Sequence, residues 1–294
     1  MKCFYHGIDL DGKMSGAIVR HFEPDCKMIP INYGDPFPWD SIGQDEEVYI
    51  VDFSLQPFGQ MEKLATKCRL NWIDHHEIAI EDSGKTGIND LLDGVNLEVG
   101  IGACQLVWEY FSDSDVPLPV QALARYDVWD HDWVDKDKEL QKGDVLAFQY
   151  GIQSYLPPEP EEQISYLDSW LHVHTRAKME SVINDGYSIM RYIKVNNAEY
   201  AKSHAFKTTI SGIPAIAINK GLASSLLFDS VNDPGFPISI AYCQLPNGKW
   251  TVSLYSKTVN VGVIAKSFGG GGHEQAAGFQ CTYLPFVSDS VAIP

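Results

Sequence analysis

Five short segments set ligand-type side chains at the ends of apolar runs: HGIDLDG (6–12), VDFS (51–54), DHH (74–76), RYDVWD (125–130) and GGGGHEQAAGF (269–279). The first four supply two histidines and four carboxylates of the kind that hold two divalent cations. The fifth is a glycine-rich loop able to wrap a phosphate. Metal-dependent hydrolysis of a phosphoester is the chemistry for which such a set is equipped.

Each segment carries its own expectation. In HGIDLDG an extended backbone sends Asp9 and Asp11 to the same side, so two carboxylates face one site. VDFS puts Asp52 directly after the apolar run VYIV, where a carboxylate is either a helix N-cap or a ligand. In DHH the adjacent histidines His75 and His76 are expected to point to opposite sides, one to metal and one to substrate. RYDVWD offers Asp127 as a ligand. The neighbouring Asp130, His131 and Asp132 read as a solvated turn, and Trp129 and Trp133 as packing residues. Four glycines in a row, Gly269, Gly270, Gly271 and Gly272, carry a heavy entropic penalty unless the backbone must approach something closely. Their N–H groups can surround an anion, with His273 as a further donor.

The elements needed to position these residues are visible in the hydrophobic pattern. KCFYHG, EVYIVDFS and RLNWIDHHE read as buried strands; MSGAIVRHF, FGQMEKLATK, GACQLVWEYF and PVQALARY read as helices. Strand–helix alternation predicts an α/β domain with a largely parallel sheet and helices on both faces. His6, Asp9, Asp52 and residues 74–76 fall at strand ends, the edge where open α/β sheets bind ligands. Residues 157–203 read as largely helical, interrupted near Asp185 and Gly186. Beyond them FKTTI, IPAIAIN, PISIAYCQL and KWTVSLYS read as strands, PNGK as a hairpin turn, and LASSLLFDSV and VNVGVIAKSF as helices. The expected division is residues 1–190 as a catalytic domain, with its helical tail running into a connection, and 204–294 as a smaller mixed-sheet α/β domain.

Composition limits the partners. The 294 residues carry a net charge of −17, which repels a long duplex that binds through basic patches. A nucleic-acid substrate is therefore expected to be short, although bound cations reverse the local field. No apolar run approaches the roughly 18–20 residues of a membrane span. The first residues, MKCFYHGIDLDG, lack the pattern of a signal peptide, so a cytoplasmic protein is expected. Six scattered cysteines without a CxxC pair read as reduced thiols.

In order and spacing, the five motifs resemble the DHH phosphoesterase family with its C-terminal DHHA1 domain, and within it the oligoribonuclease-like branch that degrades very short RNAs. The resemblance implies that His6, Asp9 and Asp52 hold one cation and that Asp11, Asp52, His75 and Asp127 hold the other, with Asp52 bridging. It implies that His76 contacts the scissile phosphate, that Asp74 orients a histidine, and that the two cations activate a bridging water. The glycine loop (Gly269, Gly270, Gly271, Gly272), His273 and Lys257 would hold the substrate. Mixed carboxylate and imidazole ligands suit Mn²⁺ better than Mg²⁺ or Zn²⁺. The family often has an arginine in an SLRS-type strand before the loop; here the strand reads SLYSK, with Tyr255 in that place. The expected activity is cleavage of short oligonucleotides to nucleoside monophosphates, with a homodimer compatible. Rival readings are a cyclic-dinucleotide phosphodiesterase, a 3′-phosphonucleotide phosphatase, and a non-catalytic nucleotide sensor.

Overall fold

Strict alternation along short apolar runs builds the first sheet, because every second side chain must meet a different layer of helices. In the computed structural model, which describes residues 1–135 and 139–286, the first unit spans Met1–Met190 and the second begins at Arg191. The first contains, in chain order, β1 (Lys2–His6), α1 (Leu10–Phe22), β2 (Lys27–Ile31), β3 (Glu47–Val51), α2 (Gly59–Ala65), β4 (Arg69–Asp74), α3 (Glu77–Thr86), β5 (Gly94–Leu97), α4 (Ala103–Phe111), α5 (Leu118–Asp127), α6 (Asp144–Ser154), α7 (Pro160–Asp168) and the start of α8 (Arg176–His204).

The five strands are all parallel, in the order β2-β1-β3-β4-β5. Cys3, Tyr5, Tyr49 and Val51 face a core shared with α1, α4, α5 and α6. Phe4, Val48, Ile50, Leu70 and Trp72 face a second core with α2. Strand order reverses direction between β1 and β3, which makes their carboxyl ends a topological switch point. His6 closes β1 and Asp52 directly follows β3, so two of the expected ligands flank that crevice.

Strands β2 and β5 and helices α3 and α6 are additions to the elements legible in the sequence of this unit. The helix α8 shows no interruption at Gly186. That glycine is needed for packing: a Cβ there would overlap the Ala147 carbonyl oxygen of α6, as a Cβ on Gly151 would overlap that of Val182. Two helices in backbone contact require glycine at both crossing points.

A buried carboxylate fixes the same region. Asp144, in the first turn of α6, accepts hydrogen bonds from Gln141 N (2.9 Å), Arg176 Nε (2.7 Å), Arg176 Nη2 (3.3 Å) and the Tyr187 hydroxyl (2.9 Å). Burial pushes its pKa up, but Arg176, the Gln141 amide and Tyr187 together hold it below the ordinary carboxylate value. Asp144→Ala is expected to destabilise the protein by about 2–4 kcal/mol at pH 7, since it strands four donor atoms on three residues. Because the folded pKa is the depressed one, this contribution is complete above the unfolded carboxyl pKa of about 3.9 and fades as pH falls through the folded value. Denaturant midpoints should therefore differ widely at pH 7 and draw together as pH falls below about 4.

The second unit continues with β6 (Phe206–Ile210), β7 (Ile213–Asn219), β8 (Ile238–Gln244), β9 (Trp250–Tyr255), α9 (Val261–Ser267), β10 (Gly271–Gly272) and β11 (Ala276–Cys281). Its sheet has the order β10-β11-β9-β8-β7-β6, antiparallel except for β7 beside β8. The PNGK turn joins β8 to β9, with Gly248 at φ +83°. One sheet face packs on α9 and the other on Leu227, Phe228 and the end of α8. The segment LASSLLFDSV forms a 3₁₀ turn, Ser225–Val231, rather than an α-helix, burying only Leu227 and Phe228. All six cysteines are free thiols. Among the described residues no helix is long and apolar enough to cross a membrane.

Candidate metal centre

The carboxyl edge of the first sheet gathers every ligand candidate of that unit. His6 Nδ1 lies 3.0 Å from Asp9 Oδ2 and 3.5 Å from Asp52 Oδ2. His75 Nε2 lies 3.3 Å from Asp52 Oδ1, 3.3 Å from Asp127 Oδ2 and 3.7 Å from Asp11 Oδ2. Among the three-residue groups that bring one ligand atom per residue within 4.8 Å of the others are His6–Asp9–Asp52 and Asp11–Asp52–His75, with Asp52–Asp74–His76 beside them. Asp52 belongs to all three, and Asp127 joins the second through His75.

Local structure explains how each side chain arrives. Asp9 is not extended alongside Asp11, as alternation would have it. It is the N-cap of α1, accepting from Gly12 N at 3.0 Å, while Asp11 already lies in the first helical turn. Gly12 is glycine because a Cβ there would overlap the His6 carbonyl and fall 2.6 Å from the His6 Cβ. Asp11 is fully buried and also receives the N-terminus of α4: Ala103 N donates to Oδ2 (2.7 Å) and Cys104 N to Oδ1 (2.9 Å). Asp52 has φ +53°, a left-handed conformation costly for a side-chain-bearing residue and characteristic of functional positions. Asp127 is the last residue of α5.

The two histidines do not diverge as strand alternation predicts. The strand stops at Asp74, and His76 is the N-cap of α3, so the rings sit 4.8 Å apart at 65°. Asp74 shapes this turn. Its Oδ1 accepts from His75 N (2.8 Å) and His76 N (3.2 Å) and lies 2.7 Å from His76 Nδ1. Engagement of Nδ1 by a buried carboxylate fixes the orientation of the His76 ring.

The charge pattern fits cations. The buried atoms His6 Nδ1 and Asp52 Oδ1 make no hydrogen bond, although lone pairs of other ligand atoms face them. Buried polar atoms are rarely left so unless a water or an ion satisfies them, and these two sit among ligand-type atoms. Burial pushes the Asp11 carboxyl well up, and the nearby Asp52 and Asp127 carboxylates add to that. Burial also raises Asp127, to about 6, against the pull of His75. Asp52 goes the other way, held well below the usual range despite burial by the His6 and His75 imidazoles. Burial works against a proton on His6, yet Asp52 and Asp9 raise it to about 11. Four carboxylates crowd two imidazoles here, and divalent cations bound among them would take the place of protons.

The cluster Asp130, His131 and Asp132 does not join the centre. Asp132 pairs with Lys142 at 2.8 Å and Asp130 with Arg125 at 3.6 Å. His131 stacks on Tyr126 and Trp129, with ring centroids 5.1 and 5.6 Å away, so it is half-buried rather than solvated.

In the second unit the glycine run does several jobs. Gly269, at φ +80°, ends α9, and Gly270 N bonds Ala265 O at 2.9 Å. A Cβ on Gly270 would overlap the Gly278 carbonyl, and Gly272 has φ +132° in the β10–β11 pairing. Only Gly271 of the four meets nothing and has no positive φ. Three of the four glycines therefore have folding reasons, where the sequence alone suggests ligand approach for all of them. His273 N donates to Ala276 O (2.8 Å), closing the hairpin. Lys257 is exposed in the turn after β9. Tyr255 donates its hydroxyl to Ala223 O at 2.6 Å, a packing role with no positive charge.

Residues 215–289 match the family model of the DHHA1 domain. The second unit contains a DHHA1 domain. Across both units the chain is similar to three solved structures. One is a pGpG-specific phosphodiesterase, PggH, from Vibrio cholerae (12% identity, 95% of this chain and 92% of that one, TM-score 0.52). Another is an exopolyphosphatase-related protein from Bacteroides fragilis (16% identity, 96% and 87%, TM-score 0.50). The third is the DHH domain of a member of a family of ribosomal proteins (13% identity, 94% and 81%, TM-score 0.50). At these identities the likeness is one of fold: a parallel-sheet unit followed by a mixed-sheet unit, the latter containing the DHHA1 match. The resemblance drawn from the motifs is borne out at that level, as is the α/β class of both units.

Proposed function

We propose that this DHHA1-containing protein is a metal-dependent phosphodiesterase that hydrolyses short oligonucleotides, down to dinucleotides, to nucleoside monophosphates. The observation that carries the reading is the convergence of His6, Asp9, Asp11, Asp52, His75 and Asp127 at the switch point of the sheet, with Asp52 common to both ligand groups. Divalent cations held there, Mn²⁺ by the donor set, would supply Lewis-acid activation of water and neutralise the phosphate. Asp52 would serve both groups, one carboxylate oxygen toward His6 and the other toward His75. His76, oriented by Asp74 through Nδ1, offers Nε2 as a donor to a phosphoryl oxygen. In the DHHA1 domain, Gly271 is the glycine free of internal packing, and we assign it, with Gly269, Gly270, Gly272, His273 and Lys257, to substrate contact. The short substrate follows from the net charge of −17 and agrees with a phosphodiesterase named for pGpG among the proteins of this fold.

Incubation with Mn²⁺ and end-labelled di- to decanucleotides tests the assignment. Dinucleotides should turn over fastest, longer strands progressively more slowly, and EDTA should stop the reaction until Mn²⁺ is restored. No release of mononucleotides from any length, with Mn²⁺, Mg²⁺ or Co²⁺, would overturn it.

A further inference from the structure

One aromatic residue stands at the metal centre without belonging to the core or to any ligand set. Tyr33 follows β2 in the turn NYGD, which is closed by Asp35 N donating to Asn32 O (3.0 Å) and Asn32 N donating to Asp35 Oδ2 (2.9 Å). Its ring lies 4.6 Å from that of Phe53, which is 3% exposed, yet Tyr33 itself is 44% exposed. The ring centroid is 5.7 Å from His6 and 6.3 Å from His76, meeting both imidazoles edge-on at 66° and 81°. It thus borders one group of candidate ligands and the histidine assigned to the scissile phosphate.

The ring is braced on Phe53 and carried by a closed turn, and with 44% of its surface exposed Tyr33 is open beside the two imidazoles.

Resting on the phosphodiesterase reading above, we infer that Tyr33 is a nucleobase-stacking residue for the nucleoside next to the scissile phosphate, and so selects base-bearing phosphodiesters over inorganic polyphosphate. Every base offers a π-face, so such a contact is tolerant of sequence, and a polyphosphate has no group to place there.

The test uses Tyr33→Leu and Tyr33→Phe in the full chain. Kd for a phosphorothioate-linked dinucleotide with Mn²⁺ is measured beside KM and kcat for the natural dinucleotide. The same dinucleotide lacking both bases is the comparison ligand. Loss of the ring in Tyr33→Leu should raise Kd and KM for the base-bearing ligand about 10-fold or more. It should leave kcat within about 3-fold and affinity for the abasic ligand unchanged, and Tyr33→Phe should behave as wild type. Equal weakening of both ligands, or a fall confined to kcat, would mean that Tyr33 only props the two imidazoles, and the inference fails. Unchanged binding in Tyr33→Leu also ends it. If wild type binds the dinucleotide without cleaving it, the hydrolase reading falls while the Kd ratio still decides the role of Tyr33. If wild type binds no dinucleotide with any metal, both fall.

Discussion

Replacing Asp52 by asparagine is expected to lower Mn²⁺-dependent hydrolysis by at least about 10³-fold and to leave a folded protein. Asparagine has the same shape and tolerates the left-handed backbone at this position (φ +53°), so the change removes charge and little else. It removes that charge from both ligand groups at once, since Oδ1 is 3.3 Å from His75 Nε2 and Oδ2 is 3.5 Å from His6 Nδ1. A ligand that binds only the native state raises its melting temperature. Wild type should therefore show a Mn²⁺-dependent thermal shift, and the variant should lose it. Full turnover and an unchanged shift in Asp52→Asn would remove the basis of the two-cation assignment.

The sequence disclosed this centre more readily than the reasons for it. Strand-end carboxylates were legible because buried runs such as VYIV and LNWI stop abruptly at polar residues, and parallel sheets bind ligands at that edge. The backbone around them was not. Period-two reasoning fails for Asp9 and Asp11 because α1 begins at Leu10, and it fails for His75 and His76 because the strand ends one residue earlier. The strand β2 escaped notice because KMIPI is half-exposed and contains a proline, which edge strands tolerate. With it went Tyr33, although Asn32, Gly34, Asp35 and Pro36 around it are turn residues and could have marked another loop at the same edge. Glycines carry more than one message. Gly186 looks like a helix break in sequence and is a helix crossing in space, whereas Gly269, Gly270 and Gly272, which read as a phosphate loop, each also answer a demand of the fold. Sequence shows that a side chain is missing but not what occupies its place.

That distinction gives the second large effect, a contrast between two glycine-to-alanine changes. Gly12→Ala would put a Cβ into the His6 carbonyl oxygen and 2.6 Å from the His6 Cβ. Backbone is what it strikes, so no side-chain rotation relieves the overlap, and α1 must separate from β1. The two elements carry Asp9 and Asp11 on one side and His6 on the other, and Gly12 N itself holds Asp9 Oδ1. Displacements of this kind weaken metal sites by about 10- to 100-fold, while overpacking costs about 1–3 kcal/mol of stability. Gly84→Ala is the opposite case. Gly84 lies within α3, is exposed, and a Cβ there meets nothing within 4 Å. Alanine there should stabilise the fold by roughly 0.5–1 kcal/mol through helix propensity alone and leave the centre untouched. Mn²⁺ titration followed by electron paramagnetic resonance, beside melting curves of the metal-free proteins, separates the two. Gly12→Ala should lose Mn²⁺ affinity out of proportion to its stability, and Gly84→Ala should gain stability with affinity unchanged. Wild-type affinity in Gly12→Ala would show that the α1–β1 contact does not set the ligand geometry, and that His6 and Asp9 are held in place by something else.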